Sequence, residues 1–263
     1  MTRLKPDASG AIPVQSVVDA LRDDTILVSL MMVNNETGAV TDISAVSREL
    51  KRAGSQALLH TDAVQGFMKV PFRAKTLGAD MISISGHKIH APKGIGALYI
   101  RAGLKLKPFI VGGSQESGMR AGTEAMPQIA AFGAASEIAY AGMKENIARM
   151  SALRERAVSR LERDIPELRV ISSADSAPHI LSISLPGWRS EVLMNFLEAR
   201  GVYVSRSSAC KKGGRSHVLE AVGLDAKTID GAIRIGLSRF TTEEDIDALC
   251  DAMRDAHDTL AHR

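Results

Sequence analysis

Residues 81–100 read MISISGHKIHAPKGIGALYI, two apolar runs on either side of a glycine-rich turn. The runs 81–85 and 97–100 are short, aliphatic and bounded by Gly and Pro, so they predict buried strands. The turn carries Lys88 beside His87, with Gly86, Gly94 and Gly96 keeping the backbone slim. A lysine amine desolvated near other cations loses its proton more readily and becomes a nucleophile toward carbonyl groups. Taken alone, Ser85-Gly86-His87-Lys88 equally describes a solvated loop lysine, because short motifs match by accident.

Working outward, 26–33 (ILVSLMMV) is a nearly continuous apolar run, which predicts a strand buried on both faces. It runs into the polar loop Asn34-Asn35-Glu36-Thr37-Gly38. A short helix over 14–21 precedes it. A helix over 43–53 follows, capped by Asp42 and stopped by Gly54. Residues 57–61 predict the next strand, ending at Asp62. Strands alternating with helices predict an α/β fold, a mostly parallel sheet with helices on both faces. In such sheets ligands bind beyond the carboxyl ends of the strands, where Asn34, Asn35, Asp62 and Lys88 stand.

Residues 105–123 form a Gly-rich polar loop, and 126–163 predict one long helical stretch. Beyond Pro166 the pattern becomes that of a smaller α+β domain. Leu181, Ile183 and Leu185 alternate with Ser182 and Ser184, predicting a half-buried strand over 180–185. A helix over 191–200, a strand over 202–205, a helix over 216–222 and a strand over 233–237 follow. Thr241 with Glu244 predicts a capping box for a last helix reaching about 260. The domain boundaries expected are 1–125 for a large domain, 126–165 for a connecting helical region and 166–263 for the small domain.

The 263 residues are 45% hydrophobic and 24% charged, ordinary for a globular chain with room for a core. The net charge of +3 comes without a basic stripe interleaved with aromatics, which argues against nucleic acid. No apolar run has membrane-spanning length and no signal peptide stands at 1–10, so a cytoplasmic protein is expected. Two cysteines, Cys210 and Cys250, build no disulfide framework. The histidines His60, His179, His217 and His257 show no metal-ligand spacing, so no metal is expected.

Asp62, following an apolar strand, is a carboxylate in need of a cationic partner, or else a turn cap. Cys210 lies among Arg206, Lys211, Lys212 and Arg215, cations that favour a reactive thiolate, although an exposed thiol in a solvated basic run reads the same way. Cys250 shares a helical face with Ile246, Leu249 and Met253 and reads as core. In IRIGLSRF, Arg234 points away from Ile233, Ile235 and Leu237. It suits either a bidentate carboxylate contact or an ion pair.

Together these segments resemble the cysteine desulfurases of the NifS/IscS type, within the class V aminotransferases, which are pyridoxal phosphate (PLP) enzymes of fold type I. The matching pieces are MMVNNETG (31–38), HTDAVQ (60–65), SISGHKIHAPKGIGALYIR (83–101), GGSQESGMRAGT (112–123), SACKKGGRSHVL (208–219) and IRIGLSRFTTEEDID (233–247). They occur in family order and span nearly the whole chain. The resemblance implies that Lys88 holds PLP covalently, that Asp62 pairs with its pyridine nitrogen and that Gln65 contacts its phenolic oxygen. It implies that Ser85 and His87 bind the phosphate and that Asn35 lies near cofactor and substrate. Thr123 would reach the phosphate in the other subunit of a homodimer, and Arg234 would bind the substrate carboxylate. Lys88, Cys210 and His87 form the implied catalytic set. L-cysteine would become L-alanine, with the sulfur left as a persulfide on Cys210 for a sulfur-acceptor protein in iron–sulfur cluster or thio-cofactor synthesis.

Two departures stand out. Ser207 occupies a place where the family has Gly, an exchange expected to stiffen the segment ahead of Cys210. Met1 aligns with the middle of the family's large domain, so its phosphate-binding glycine turn and ring-stacking histidine have no counterpart here. The expectation is a partial sheet with impaired activity. A selenocysteine lyase or another class V enzyme is a second reading, and a non-catalytic fragment or scaffold needing a second chain is a third.

Overall fold

A computed structural model describes residues 1–206 and 215–260. In chain order the elements are α1 (Val14–Asp19), β1 (Leu27–Met31), α2 (Ile43–Arg52), β2 (Leu58–Asp62), α3 (Ala74–Leu77), β3 (Met81–Ser85) and β4 (Gly96–Ile100). Then come α4 (Met126–Ala141), α5 (Met143–Asp164), β5 (Arg169–Val170), β6 (Ile180–Ser184) and α6 (Ser190–Glu198). The last are β7 (Ser205–Arg206), α7 (His217–Val222), α8 (Ala226–Asp230), β8 (Ala232–Gly236) and α9 (Glu243–Thr259). None of the described helices is long and apolar enough to cross a membrane.

The chain divides into two compact units, one of residues 21–32 and 43–142, the other of 1–20, 33–42 and the chain from 143 onward. In the first unit the sheet order is β1-β2-β3-β4. β1, β2 and β3 run parallel and β4 returns antiparallel beside β3, so the sheet is mostly parallel as expected. Gly96 begins β4 because a side chain there would meet the Ile84 carbonyl oxygen at 2.7 Å. The expectation that β1 is buried on both faces is corrected. Val28 and Leu30 are buried while Leu27 and Ser29 are exposed, since β1 is an edge strand with cover on one face. α2 ends in Arg52 with Gly54 in the left-handed region just beyond.

The second unit holds an antiparallel sheet of order β5-β6-β8-β7. Its core gathers Leu181, Ile183, Ile233 and Ile235 from the strands with Leu153, Leu161, Leu193 and Met253 from α5, α6 and α9. β6 is buried throughout, not half-buried, with Ser182 and Ser184 as inaccessible as their aliphatic neighbours. Ser184 tolerates this because its hydroxyl donates to the Thr228 carbonyl at 2.6 Å. Residues 126–163 form two helices, interrupted at Gly142, whose N–H bonds back to the Ile138 and Tyr140 carbonyls as a cap. The capping box of α9 sits one residue later than expected, on Thr242 and Asp245. The hydroxyl of Thr241 accepts instead from the Ser238 N–H at 2.9 Å. Cys250 is buried, as its helical face implied, and burial pushes its thiol up to about 11.

Candidate active site

The first unit collects six of the residues singled out in the sequence. Asp62 closes β2 and pairs in register with Ser83 of β3. Its Oδ1 accepts the Val64 N–H at 2.9 Å, which turns the chain and buries Gln65 just past the strand end. Ser85 closes β3. Its hydroxyl lies 2.8 Å from His87 Nδ1. Lys88 follows in a 3-10 helix, Gly86–Ile89, one step beyond the strand end at which it was expected.

Packing fixes that short helix. Ile89 is buried against Phe132 and Ala135 of α4. Phe67 meets Phe132 edge to face, with centroids 6.3 Å apart. With Ile89 held by α4, His87 remains exposed and Lys88 part-buried. Thr123 is exposed in the loop between β4 and α4. Cys210 lies outside the described residues.

The second unit holds the other two. Asn35 stands in the turn 34–38, and its carbonyl accepts Nη1 of Arg234 at 2.8 Å. Arg234 lies on β8 between buried Ile233 and Ile235 and is itself part-buried, facing away from them as the alternation implied. The turn is tightly specified. Asn34 Oδ1 accepts from the N–H groups of Glu36 and Thr37 at 2.9 and 3.0 Å. Gly38 adopts a φ of 78°, and a side chain there would meet Ile180 Cβ at 3.1 Å.

The profile of the family described as Aminotransferase class-V matches residues 1–249. The chain belongs to that family. Among curated relatives, "Cysteine desulfurase 2" of Trichormus variabilis is 43% identical over 256 residues, which cover 96% of this chain and 64% of the relative. The chain therefore spans less than two thirds of that relative's length. Among solved structures, a NifS-like protein is 36% identical with a TM-score of 0.91, covering 98% of this chain and 68% of that one. The structure titled "SspA in complex with cysteine" is 32% identical with a TM-score of 0.75, covering 92% of this chain and 67% of that one.

This class-V chain also has polar residues that sequence reasoning passed over. Lys69 stands beside Lys88, and burial, with the charge of Lys88 adding to it, pushes the Lys69 amine down to about 8. Its signal in the sequence was slight, a lysine shortly after HTDAVQ with no pattern of its own. His60 bridges the sheet, its Nδ1 2.8 Å from Ser29 Oγ and its Nε2 2.8 Å from Ser83 Oγ. Three strands are thus joined by one imidazole.

Glu36 is the third. It is 5% exposed, and its Oε2 accepts the Ser216 hydroxyl. Burial lifts its carboxyl above the usual range, while Ser216, His217 and Arg234 pull it back. No sequence pattern separates Glu36 from any other loop carboxylate. Among the described residues no cluster of His, Cys, Asp and Glu is arranged to hold a metal.

Proposed function

We propose that this chain carries the cofactor and substrate groups of a PLP-dependent cysteine desulfurase that turns L-cysteine into L-alanine. The observation that carries the reading is the Asp62 carboxylate and the Ser85–Lys88 turn at the carboxyl ends of adjacent parallel strands. That is where an open α/β sheet binds ligands.

The donor set fits PLP. Asp62 offers a carboxylate to a protonated pyridine nitrogen, and buried Gln65 offers an amide to the phenolic oxygen. Ser85 and His87, already hydrogen-bonded to each other, offer a hydroxyl and an imidazole to the phosphate. Thr123 offers a second hydroxyl, in this reading to the phosphate in the other subunit of a homodimer. Lys88 offers the amine that would hold the aldehyde. Lys69 stands beside it, its own amine pushed down to about 8 by burial and by the charge of Lys88. When bound, PLP supplies an electron sink for the substrate's α-carbon.

Arg234 would bind the substrate carboxylate, with Asn35 fixing its guanidinium. His87, exposed at the turn, is the proton carrier at hand. Cys210, as thiolate, would attack the substrate sulfur. The new S–S bond forms as the Cβ–S bond breaks, and the carbon keeps that electron pair and takes a proton to give alanine. The persulfide on Cys210 then passes to a sulfur-acceptor protein for iron–sulfur cluster or thio-cofactor synthesis in the cytoplasm. Support for cysteine as substrate comes from the desulfurase names of the relatives and from the SspA structure with cysteine.

Incubating the purified chain with PLP and L-cysteine tests this. Alanine should appear slowly from the chain alone and faster when the N-terminal segment of a full-length relative is supplied in trans, with one sulfur added to the Cys210 peptide by mass spectrometry. No alanine in either mixture, or sulfur on Cys250 instead, overturns it.

A further inference from the structure

Within the second unit, the turn 34–38 is a junction. It receives Arg234 at the Asn35 carbonyl at 2.8 Å and the Ser172 hydroxyl at the Thr37 carbonyl at 2.6 Å. The Ala177 N–H reaches the Gly38 carbonyl at 2.8 Å. At its centre, buried Glu36 takes the hydroxyl of Ser216.

Ser216 is also the N-cap of α7, accepting the Leu219 N–H at 3.1 Å. The preceding residue, Arg215, makes two parallel bonds to the Asp230 carboxylate at 2.8 and 2.9 Å. Both residues directly follow the stretch that carries Cys210. One turn thus bonds both the arginine of β8 and the place where the chain re-enters α7 after Cys210.

A buried carboxylate is costly unless it is hydrogen-bonded or opposed by charge, so its position needs a reason. Ser216 is its hydrogen-bond donor, and Arg234 is a fixed cation that acts on it. An O–H···O bond is short and directional. It therefore sets the distance between turn and helix more sharply than apolar packing does.

We propose that Glu36 is a positioning residue, whose bond to Ser216 ties the start of α7 to the turn that orients Arg234. Its role in turnover rests on the desulfurase reading. The tie itself does not.

Hydrogen–deuterium exchange on the purified chain reads the tie without any need for activity. In Glu36→Ala, the α7 peptide should exchange about tenfold faster while β6 and β8 keep wild-type protection. Glu36→Gln, whose amide oxygen still accepts the Ser216 hydroxyl, should restore α7. If Glu36→Ala does not fold, Glu36→Asp, with its shorter reach, is read in the same way. Unchanged α7 exchange overturns the proposal, as does equal loss across α7, β6 and β8, which would mark Glu36 as a general support of the fold.

The kinetic arm uses L-cysteine. Glu36→Ala should raise KM about tenfold or more through Arg234, with PLP capture by absorbance unchanged and Glu36→Gln close to wild type. A fall in kcat at constant KM counts against the proposal. If the wild-type chain turns over no cysteine even with the N-terminal segment of a full-length relative supplied in trans, the desulfurase reading fails and the exchange result still decides the tie.

Discussion

Arg234 donates to the backbone carbonyl of Asn35, at 2.8 Å and across 199 positions of sequence. A guanidinium has five donors, so one bond to a carbonyl leaves a fork free for a carboxylate. Arg234→Ala should therefore lose substrate use, by roughly 2–5 kcal/mol as for truncation of a buried charged contact. PLP capture, measured by absorbance, should be nearly unchanged, because Asp62, Ser85 and Lys88 belong to the other unit. Equal loss of cofactor and substrate would assign Arg234 to the fold alone.

Lys88→Ala should abolish covalent capture of PLP. Borohydride reduction followed by peptide mapping reads it directly. The rival is Lys69, which stands close enough to Lys88 to feel its charge and has its own amine pushed down to about 8. A reduced label on the Lys69 peptide of the wild-type chain would reassign the covalent residue.

Lys69 carries a pH signature of its own. Its folded-state value, about 8, lies below its ordinary 10.5, so the unfolded chain holds the proton more tightly in between. The stability cost is fully present below pH 8 and fades as pH rises through 10.5. Lys69→Met should stabilise the fold at pH 7 by up to about 3 kcal/mol. Denaturant midpoints at pH 7 and pH 10 should show that gain shrinking. A gain that grows with pH would contradict the assignment.

The two cysteines should separate cleanly by alkylation. Cys250 is buried, with a thiol pushed up to about 11, so iodoacetamide at pH 8 should label Cys210 first. Cys250→Ala should cost about 1–3 kcal/mol through lost packing and leave sulfur transfer intact. Cys210→Ala should abolish alanine production while leaving PLP capture unchanged. Alanine release that survives in that variant would remove Cys210 from the chemistry.

Gly38→Ala tests the turn. The backbone there is left-handed, and an added methyl would meet Ile180 Cβ at 3.1 Å and the Ile180 carbonyl oxygen at 3.2 Å. A loss of about 1–3 kcal/mol is expected from the strained φ alone. A thermal midpoint equal to wild type would show that the turn adapts.

Much of the fold was readable locally. β3 matches its predicted bounds because apolar runs and breaker residues act over a few positions. The strand ends bearing Asp62 and Ser85 followed from the same pattern, as did the outward face of Arg234 on β8. The misreadings share a cause. Ser184 read as half-buried because burial of a hydroxyl depends on a distant acceptor, here the Thr228 carbonyl. Thr241 and Thr242 offer equally spaced capping boxes, and the Ser238 N–H settles the choice by engaging the Thr241 hydroxyl.

The candidate groups, Lys88, Asp62, Ser85, His87, Cys210 and Arg234, were nameable from residue type and motif and their roles stand as proposals, since such a reading begins with the side chain and its near neighbours. Lys69 beside Lys88, His60 across three strands and Glu36 under Ser216 were not. Each depends on partners brought together from remote segments, as Glu36 and Ser216 are across 180 positions. The free energy of a buried charge or hydrogen bond is set by those partners and by the water they exclude, and folding alone supplies both.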